Sequence, residues 1–339
     1  MFFLAIGGIV GTVYYATLQI KYVWRWYRVP QYFVYHEEVD IRAENDGEVK
    51  AIALQGAEAL IQVKGSEGGR PPSRPAPNNS AEALIQVKGS EGTQSYRVPT
   101  QNIKVHEGDL ISAGDSLATY KQWRPGILLQ GLGMTLQASV SAIFFGILIG
   151  LCGGLARVSA NPALKWLSLV YVEIIRGSPL LVQVYIWYFA IGTMINQILA
   201  SQRLNQISPM GYGVAALAFC AGAYLTEIVR AGIQSIHRGQ IEAARSVGMT
   251  YAQTMRYIVL PQALRRILPP LAGEFISMIK DSSLLGIIAV RELLKATREV
   301  NTTTLQPFEL FFTCAVLYLL LTFPLSMIVR YIERRMSTA

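Results

Sequence analysis

Five long stretches of the chain carry no Asp, Glu, Lys or Arg: 2–20, 125–156, 177–202, 204–226 and 310–329. Each reaches roughly the 20 residues with which a helix crosses a bilayer. A sixth apolar segment, 267–290, is interrupted by Glu274, Lys280 and Asp281 and is still long enough to span. The pattern predicts an α-helical membrane protein with six spans. Residues 2–20 lack a basic leading region and a small-x-small cleavage site, and their apolar run outlasts that of an ordinary signal peptide. They are read as an uncleaved anchor rather than a removed leader.

Between the first two spans the pattern changes. Residues 26–122 are charged, rich in Gly, Pro and Ser, and alternate apolar with polar positions as half-buried strands do. The expected organisation is an anchor at 1–25, a small all-β domain at 26–122 and a helical membrane domain at 123–339. Within the β-rich part, AEALIQVKGSEG occurs twice without mismatch, at 57–68 and 81–92, around the spacer GRPPSRPAPNNS. A solenoid needs three or more repeats, so a tandem duplication that lengthened a β-hairpin is the expected origin.

Composition narrows the function. The chain is 52% hydrophobic and 15% charged, against about 25% charged for a soluble domain. Basic residues number 30 and acidic ones 22, and before Leu129 the two are equal at 13 each, so all the excess positive charge lies in the hydrophobic part. That placement suits cytoplasmic loops beside anionic lipid, and nucleic acid is not an expected partner. Cys152, Cys220 and Cys314 lie in apolar runs without CxxC spacing, so neither a disulfide framework nor a zinc site is indicated. His36 and His106 are isolated and read as surface residues rather than metal ligands. No G-x-x-x-x-G-K-[ST] occurs, so the chain does not cradle ATP phosphates in a P-loop and is not expected to be an enzyme or to hold a cofactor itself.

The longest basic stretch, 230–266, carries Arg230, Arg238, Arg245, Arg256, Arg265 and Arg266. Inside it, 242–261 reads EAARSVGMTYAQTMRYIVLP, with the skeleton Glu242-Ala243-Ala244, Gly248, Ile258 and Leu260-Pro261. Ala243, Ala244 and Val247 fall at helical spacing and offer a small-residue face that another protein can approach. Glu242 is expected near the start of that short helix, where a carboxylate favours the macrodipole and can meet a basic partner. Gly248 is expected to end it in a backbone conformation other residues resist. A second helix follows, and Leu260-Pro261 is expected to turn the chain back towards the membrane.

Position for position, this skeleton resembles the coupling loop of ABC importer permeases. Over 123–335 the chain is similar to the polar amino acid subfamily: GLGMTL at 131–136 resembles the start of its first core span, YVEIIRGSPLLVQ at 171–183 its second, AYLTEIVRAGIQSIHRGQIEAA at 223–244 its third and the coupling helix, and FISMIKDSSL at 275–284 its fourth. One departure is that the family commonly places Asn shortly after its Pro-Pro pair, where this chain has Gly273-Glu274. The resemblance implies a type I ABC importer transmembrane domain with five core spans beside the anchor, in a bacterial inner membrane. It also implies a second permease copy or paralogue, a separate ATPase dimer that binds ATP and magnesium, and a periplasmic amino-acid-binding protein.

Residues 43–52 and 105–118 resemble the paired strand-turn signals of a biotinyl/lipoyl-like barrel-sandwich domain, with Gly47, Gly108 and Gly114 at turns and Val49, Val105, Ile111 and Leu117 facing inward. The modified lysine with its flanking Met is missing, since Lys64 and Lys88 sit in QVKG, so a structural or docking role is expected rather than a carrier one. A rival reading, an envelope adaptor whose spans only anchor this domain, leaves the coupling skeleton without a role.

A charge at bilayer depth costs at least roughly 2.5 kcal/mol, so retained charges pair or line a path. Glu173 with Arg176 and Glu227 with Arg230 are each three residues apart and are expected to pair locally as structural ion pairs. Glu274 has no basic residue three or four positions away. It either serves a cationic group of the substrate, pairs across a dimer or stays buried and protonated. Lys280 and Asp281 are adjacent and cannot form a good intrahelical pair; by resemblance they help shape the pathway, and by pattern they mark the outer interface. If 242–261 faces an ATPase, parity over the spans places the N-terminus inside and the β-rich domain in the periplasm, against Lys21, Arg25 and Arg28 after the first span.

Overall fold

The computed structural model describes residues 11–12, 14–15, 17, 19, 22–55, 82–89, 92–99 and 102–337. Most of the expected anchor span and all of the first repeat copy, 57–68, lie outside the described residues. The chain divides into two compact units, Val34–Pro125 and Gly126–Ala339, the latter including the residues up to Phe33.

The helical unit runs through α1 (Ile127–Val158), α2 (Pro162–Gly177), α3 (Leu180–Ser201), α4 (Pro209–Gln234), α5 (Arg238–Ser246), α6 (Tyr251–Thr254), α7 (Leu260–Asp281), α8 (Leu293–Thr304) and α9 (Pro307–Ser337). Among the described residues, α1, α3, α4 and α9 are long and apolar enough to cross a membrane. The fourth expected span does not stop with its charge-free stretch at 226. It continues to Gln234 because Glu227 is met by Arg157 at 3.0 Å and by Arg230 at 2.7 Å. The expected span 267–290 is also redrawn: α7 covers Leu260–Asp281, and Ser282–Ile288 forms a 3-10 turn that ends at Ala289 in the left-handed region, φ 64°.

The charge-free runs do not mark α2, although Glu173 and Arg176, three residues apart, both fall within it. Its start is fixed by the Asn161 side chain, which accepts from the Ala163 amide at 2.9 Å, with Pro162 at the first turn. It ends before Ser178-Pro179, since a residue preceding proline resists the helical conformation. Segment 171–183 is therefore split between α2 and α3 rather than opening one span.

Why α1 and α4 approach closely is legible in three glycines. Gly146, Gly150 and Gly154 recur every fourth residue on α1 and are all buried. A Cβ at Gly146 would come within 2.9 Å of Ala221 Cβ, and one at Gly150 would overlap Leu225. In lipid, where burial of apolar surface gives helices no preference for each other, such small residues let backbones close to van der Waals contact. Around this seam Ala138, Ala142, Leu217 and Leu225 pack with Met278 and Leu285.

Two buried carboxylates organise helix starts. Glu292 caps α8, accepting from the Leu294 and Lys295 amides at 2.7 Å each and from the Tyr318 hydroxyl at 3.1 Å. Glu309, in the first turn of α9, accepts from the Tyr22 hydroxyl and from the Arg25 amide, the latter at 2.6 Å. Each places negative charge at the positive end of a helix and is supplied with donors.

In the β unit, β1 (Val34–Arg42) pairs antiparallel with β6 (Ser116–Pro125), and a four-stranded sheet has the order β4 (Gly92–Pro99), β3 (Glu82–Gly89), β2 (Gly47–Gln55), β5 (Leu110–Ile111). Val49, Ile85, Val87, Val98, Ile111 and Leu117 form its core, with Val105 packed against it. The two predicted strand-turn signals do meet. Ala43 donates to Asp115 O and accepts from Gly114 N, both at 2.9 Å, while Val49 donates to Asp109 O at 2.9 Å and accepts from Gly108 N at 2.8 Å. Gly108 and Gly114 have φ of 93° and 98°, as turn glycines should. Gly47 differs: it is a strand residue, and a Cβ there would sit 2.7 Å from Lys88 O, so close strand approach rather than a turn requires it. The second repeat copy supplies β3, whose Glu82 lies opposite Gln55.

Candidate coupling loop and intramembrane carboxylates

The predicted coupling skeleton folds as a helix, a tight turn and a second helix. His237 caps α5, its Nδ1 accepting from the Gly239 amide at 3.1 Å. Because α5 begins at Arg238, Glu242 sits mid-helix and not in its first turn, so its carboxylate is not stabilised by the positive end of the helix as expected. At the other end Gly248, with φ of 89°, donates to Arg245 O at 3.0 Å, and Met249 donates to Ala244 O at 3.2 Å. These are the bonds of a left-handed helix stop, where glycine carries no Cβ penalty. Thr250 and Gln253 then form a reciprocal capping box that starts α6.

The outward face of α5 differs from the expected one. Successive helix residues point about 100° apart, so Ala243 and Ala244 do not share a face. Ala244 turns inward and is buried, whereas Glu242, Ala243 and Val247 are exposed, Val247 at 85%. Leu260-Pro261 does not turn the chain either. A π-helical segment, Met255–Val259, carries α6 straight into α7, and Pro261 falls in the first turn of α7 just after it. Ile258 is half-buried within this wide turn.

The expected intramembrane pairs separate into one that forms and one that does not. Glu227 binds Arg230 as predicted and also Arg157 of α1, a partner 70 residues away that helical spacing could not reveal. Glu173 and Arg176 make no ion pair with each other. Both are exposed, and the Arg176 guanidinium lies over the Tyr224 ring, 5.2 Å from its centroid.

Of the pathway candidates, Glu274 and Asp281 are seven residues apart on α7, two turns, and so share a face. Lys280 is exposed and lies off that face. Among the described residues Glu274 has no ion-pair partner within 4.0 Å and is half-buried, flanked by Leu271 and Phe275 of the membrane core.

A family model described as the binding-protein-dependent transport system inner membrane component matches residues 142–338. The chain belongs to this family. Among its relatives, the glutamine transport system permease protein GlnP of Escherichia coli is 39% identical over 211 residues, covering 62% of this chain and 93% of that protein. The probable glutamine ABC transporter permease protein GlnM of Bacillus subtilis is 38% identical over 209 residues, with the same coverage of 62% and 93%. The crystal structure of an amino acid ABC transporter with histidines matches with 38% identity and a TM-score of 0.54, covering 62% of this chain and 94% of that one. The helical unit thus has the fold of a type I ABC transporter membrane domain, in a permease whose relatives are transport components rather than enzymes. The family match begins within α1 and leaves the β unit outside it.

Proposed function

We propose that the chain is the permease subunit of an ATP-driven importer of polar or charged amino acids, worked through residues 242–261 by a separate ATPase. The observation that carries the reading is α5: a short helix capped at both ends that turns Ile241 and Ala244 to its own chain and presents Glu242, Ala243 and its C-cap Val247 outward. Ala243 and Val247, four residues apart and both exposed beside Glu242, give a small apolar face that a groove on another protein can cover. In this reading a pair of ATPase subunits binds ATP and magnesium, closes, and draws together the α5 helices of two permease copies or of paralogues. Their spans then alternate between outward-open and inward-open states. A binding protein delivers the amino acid from the periplasm, where the β unit, Val34–Pro125 rather than the expected 26–122, also lies, as a structural or docking module of barrel-sandwich type.

The relatives' substrates include glutamine by name, and the half-buried Glu274 of α7 supplies a carboxylate without a local cation. Such a group recognises an ammonium or guanidinium. The test is uptake by vesicles holding the permease, its ATPase and its binding protein. The Glu274→Gln variant keeps the shape and removes the charge, losing a charge-assisted bond worth about 1.5–3 kcal/mol, or about tenfold to a hundredfold in affinity for cationic amino acids. Glutamine uptake should suffer less if only the side chain is read. Equal, near-normal uptake of arginine, histidine and glutamine would return Glu274 to a structural role.

A further inference from the structure

The loop that carries α5 is closed at its base by this chain's own side chains. Ile233 and Ile236, which precede α5, are buried together with Val259, Ala263 and Ile267, which follow α6. Gly232 makes the closure possible, since a Cβ there would overlap Ile267. One polar tie completes it. Arg266 Nη1 donates to the carbonyl of Ser235 at 2.5 Å. Ser235 is the C-cap of α4, where helix carbonyls lack partners and partial negative charge collects, so a guanidinium is held there by charge as well as by the hydrogen bond.

Just beyond Arg266 the helix is loosened. Pro269 and Pro270 sit inside α7. Neither has an amide hydrogen, so the carbonyls of Arg265 and Arg266 receive no bond from the next turn. Gly273 follows, with nothing within 4 Å of where a Cβ would lie, and Glu274 comes next. One helix therefore has a fastened first part, two missing bonds and then its half-buried carboxylate.

We propose that Arg266 is a positioning residue that fastens α7 to the coupling loop, so that displacement of the loop is delivered across the Pro269-Pro270 break to the part of the helix carrying Glu274. The proposal rests on the reading that 242–261 meets an ATPase. With the tie in place, α5, the end of α4 and the start of α7 move as one body, and the proline break lets the rest of α7 change its angle. Without it, the loop shifts against α7, and ATP turnover continues while less substrate is moved. Arg265, its neighbour, makes no such bond among the described residues and serves as a control of equal charge.

The measurement takes ATP hydrolysis and amino acid uptake from the same vesicles, prepared with the permease, its ATPase and its binding protein. For Arg266→Gln the expected result is hydrolysis close to wild type with about threefold less amino acid moved per ATP, the loss of an exposed bond from a charged donor. Arg266→Lys should recover part of the ratio, and Arg265→Gln should match wild type. Uptake and hydrolysis falling in proportion for Arg266→Gln, or an unchanged ratio, would overturn the proposal. Should that variant fail to assemble, Gly232→Ala, which pushes Ile267 out of the same base, decides: a lowered ratio supports the tie and a wild-type ratio overturns it. A wild-type complex whose hydrolysis ignores the binding protein would instead overturn the underlying transport reading.

Discussion

In the helical unit three inward carboxylates are gripped from several directions, Glu227 by Arg157 and Arg230, Glu292 by two amides and Tyr318, Glu309 by Tyr22 and the Arg25 amide, whereas Glu274 is half-buried without such a partner among the described residues. In the β unit the charges of Lys104 with Asp40 and Lys121 with Glu38 sit on exposed positions, around a core of apolar side chains with Thr119 buried at its edge. The difference follows from the solvent. Within a bilayer a polar group not satisfied by protein has no water to turn to, so position is held by named polar partners and by glycine contacts. In water the strands are held by burial and register, and their charges contribute little. Function in the helical unit should therefore fail at single residues, while the β unit should respond mainly to changes in its core.

The sharpest break is expected at Gly248. Its φ of 89° and its exposure at the end of α5 mean that Gly248→Asp strains the helix stop and places a carboxylate where a partner would seat. Uptake should be abolished with membrane insertion intact, and wild-type uptake would remove the loop from the mechanism. Next is the β core. Leu117 is fully buried, so Leu117→Ala should destabilise the β unit by about 2–5 kcal/mol. Proteolysis should then nick residues 34–125 first, leaving α1 to α9 resistant.

A smaller effect, of opposite sign, is expected from shortening the duplication. Deleting 57–80 removes one copy and the spacer and leaves Gly56 and Ala81 between Gln55 and Glu82, which already face each other across β2 and β3. That makes a two-residue hairpin with glycine first, a favoured turn. Shorter loop closure should stabilise the β unit by up to about 2 kcal/mol, read as slower hydrogen exchange in β2 and β3. Faster exchange would show that the longer connection supports the sheet.

The smallest effect concerns acid. Asp40 accepts from Thr119, Lys104 and Ser116, which together hold its carboxyl below its ordinary value. A depressed carboxylate contributes stability above its unfolded pKa and loses it as pH falls through the folded one. Hydrogen exchange in β1 and β6 should therefore accelerate slightly at acid pH, and Asp40→Asn should remove the dependence.

Much of this was legible in the sequence where the signal is local. Charge-free runs marked α1, α3, α4 and α9, the skeleton around Gly248 marked a helix stop, and Gly108 and Gly114 marked turns. What escaped was set by tertiary partners. Arg157 meets Glu227 across 70 residues and Tyr22 meets Glu309 across 287, distances at which no periodicity operates. The Ala244 error was local and avoidable, since adjacent residues cannot share a helix face. The π segment at Met255–Val259 has no recognisable residue signature, and it is what lets α7 begin without the turn expected at Pro261.

In the transport reading α5 seats in an ATP-hydrolysing partner. That seating is tested most directly by replacing Val247 with a photo-crosslinking residue in the full chain, in its native membrane, and identifying the adduct by mass spectrometry. One dominant adduct is expected, a polypeptide bearing G-x-x-x-x-G-K-[ST], with none formed from the same probe at Ser112 of the β unit. No such adduct from Val247, or an equal yield from both positions, would contradict that seating.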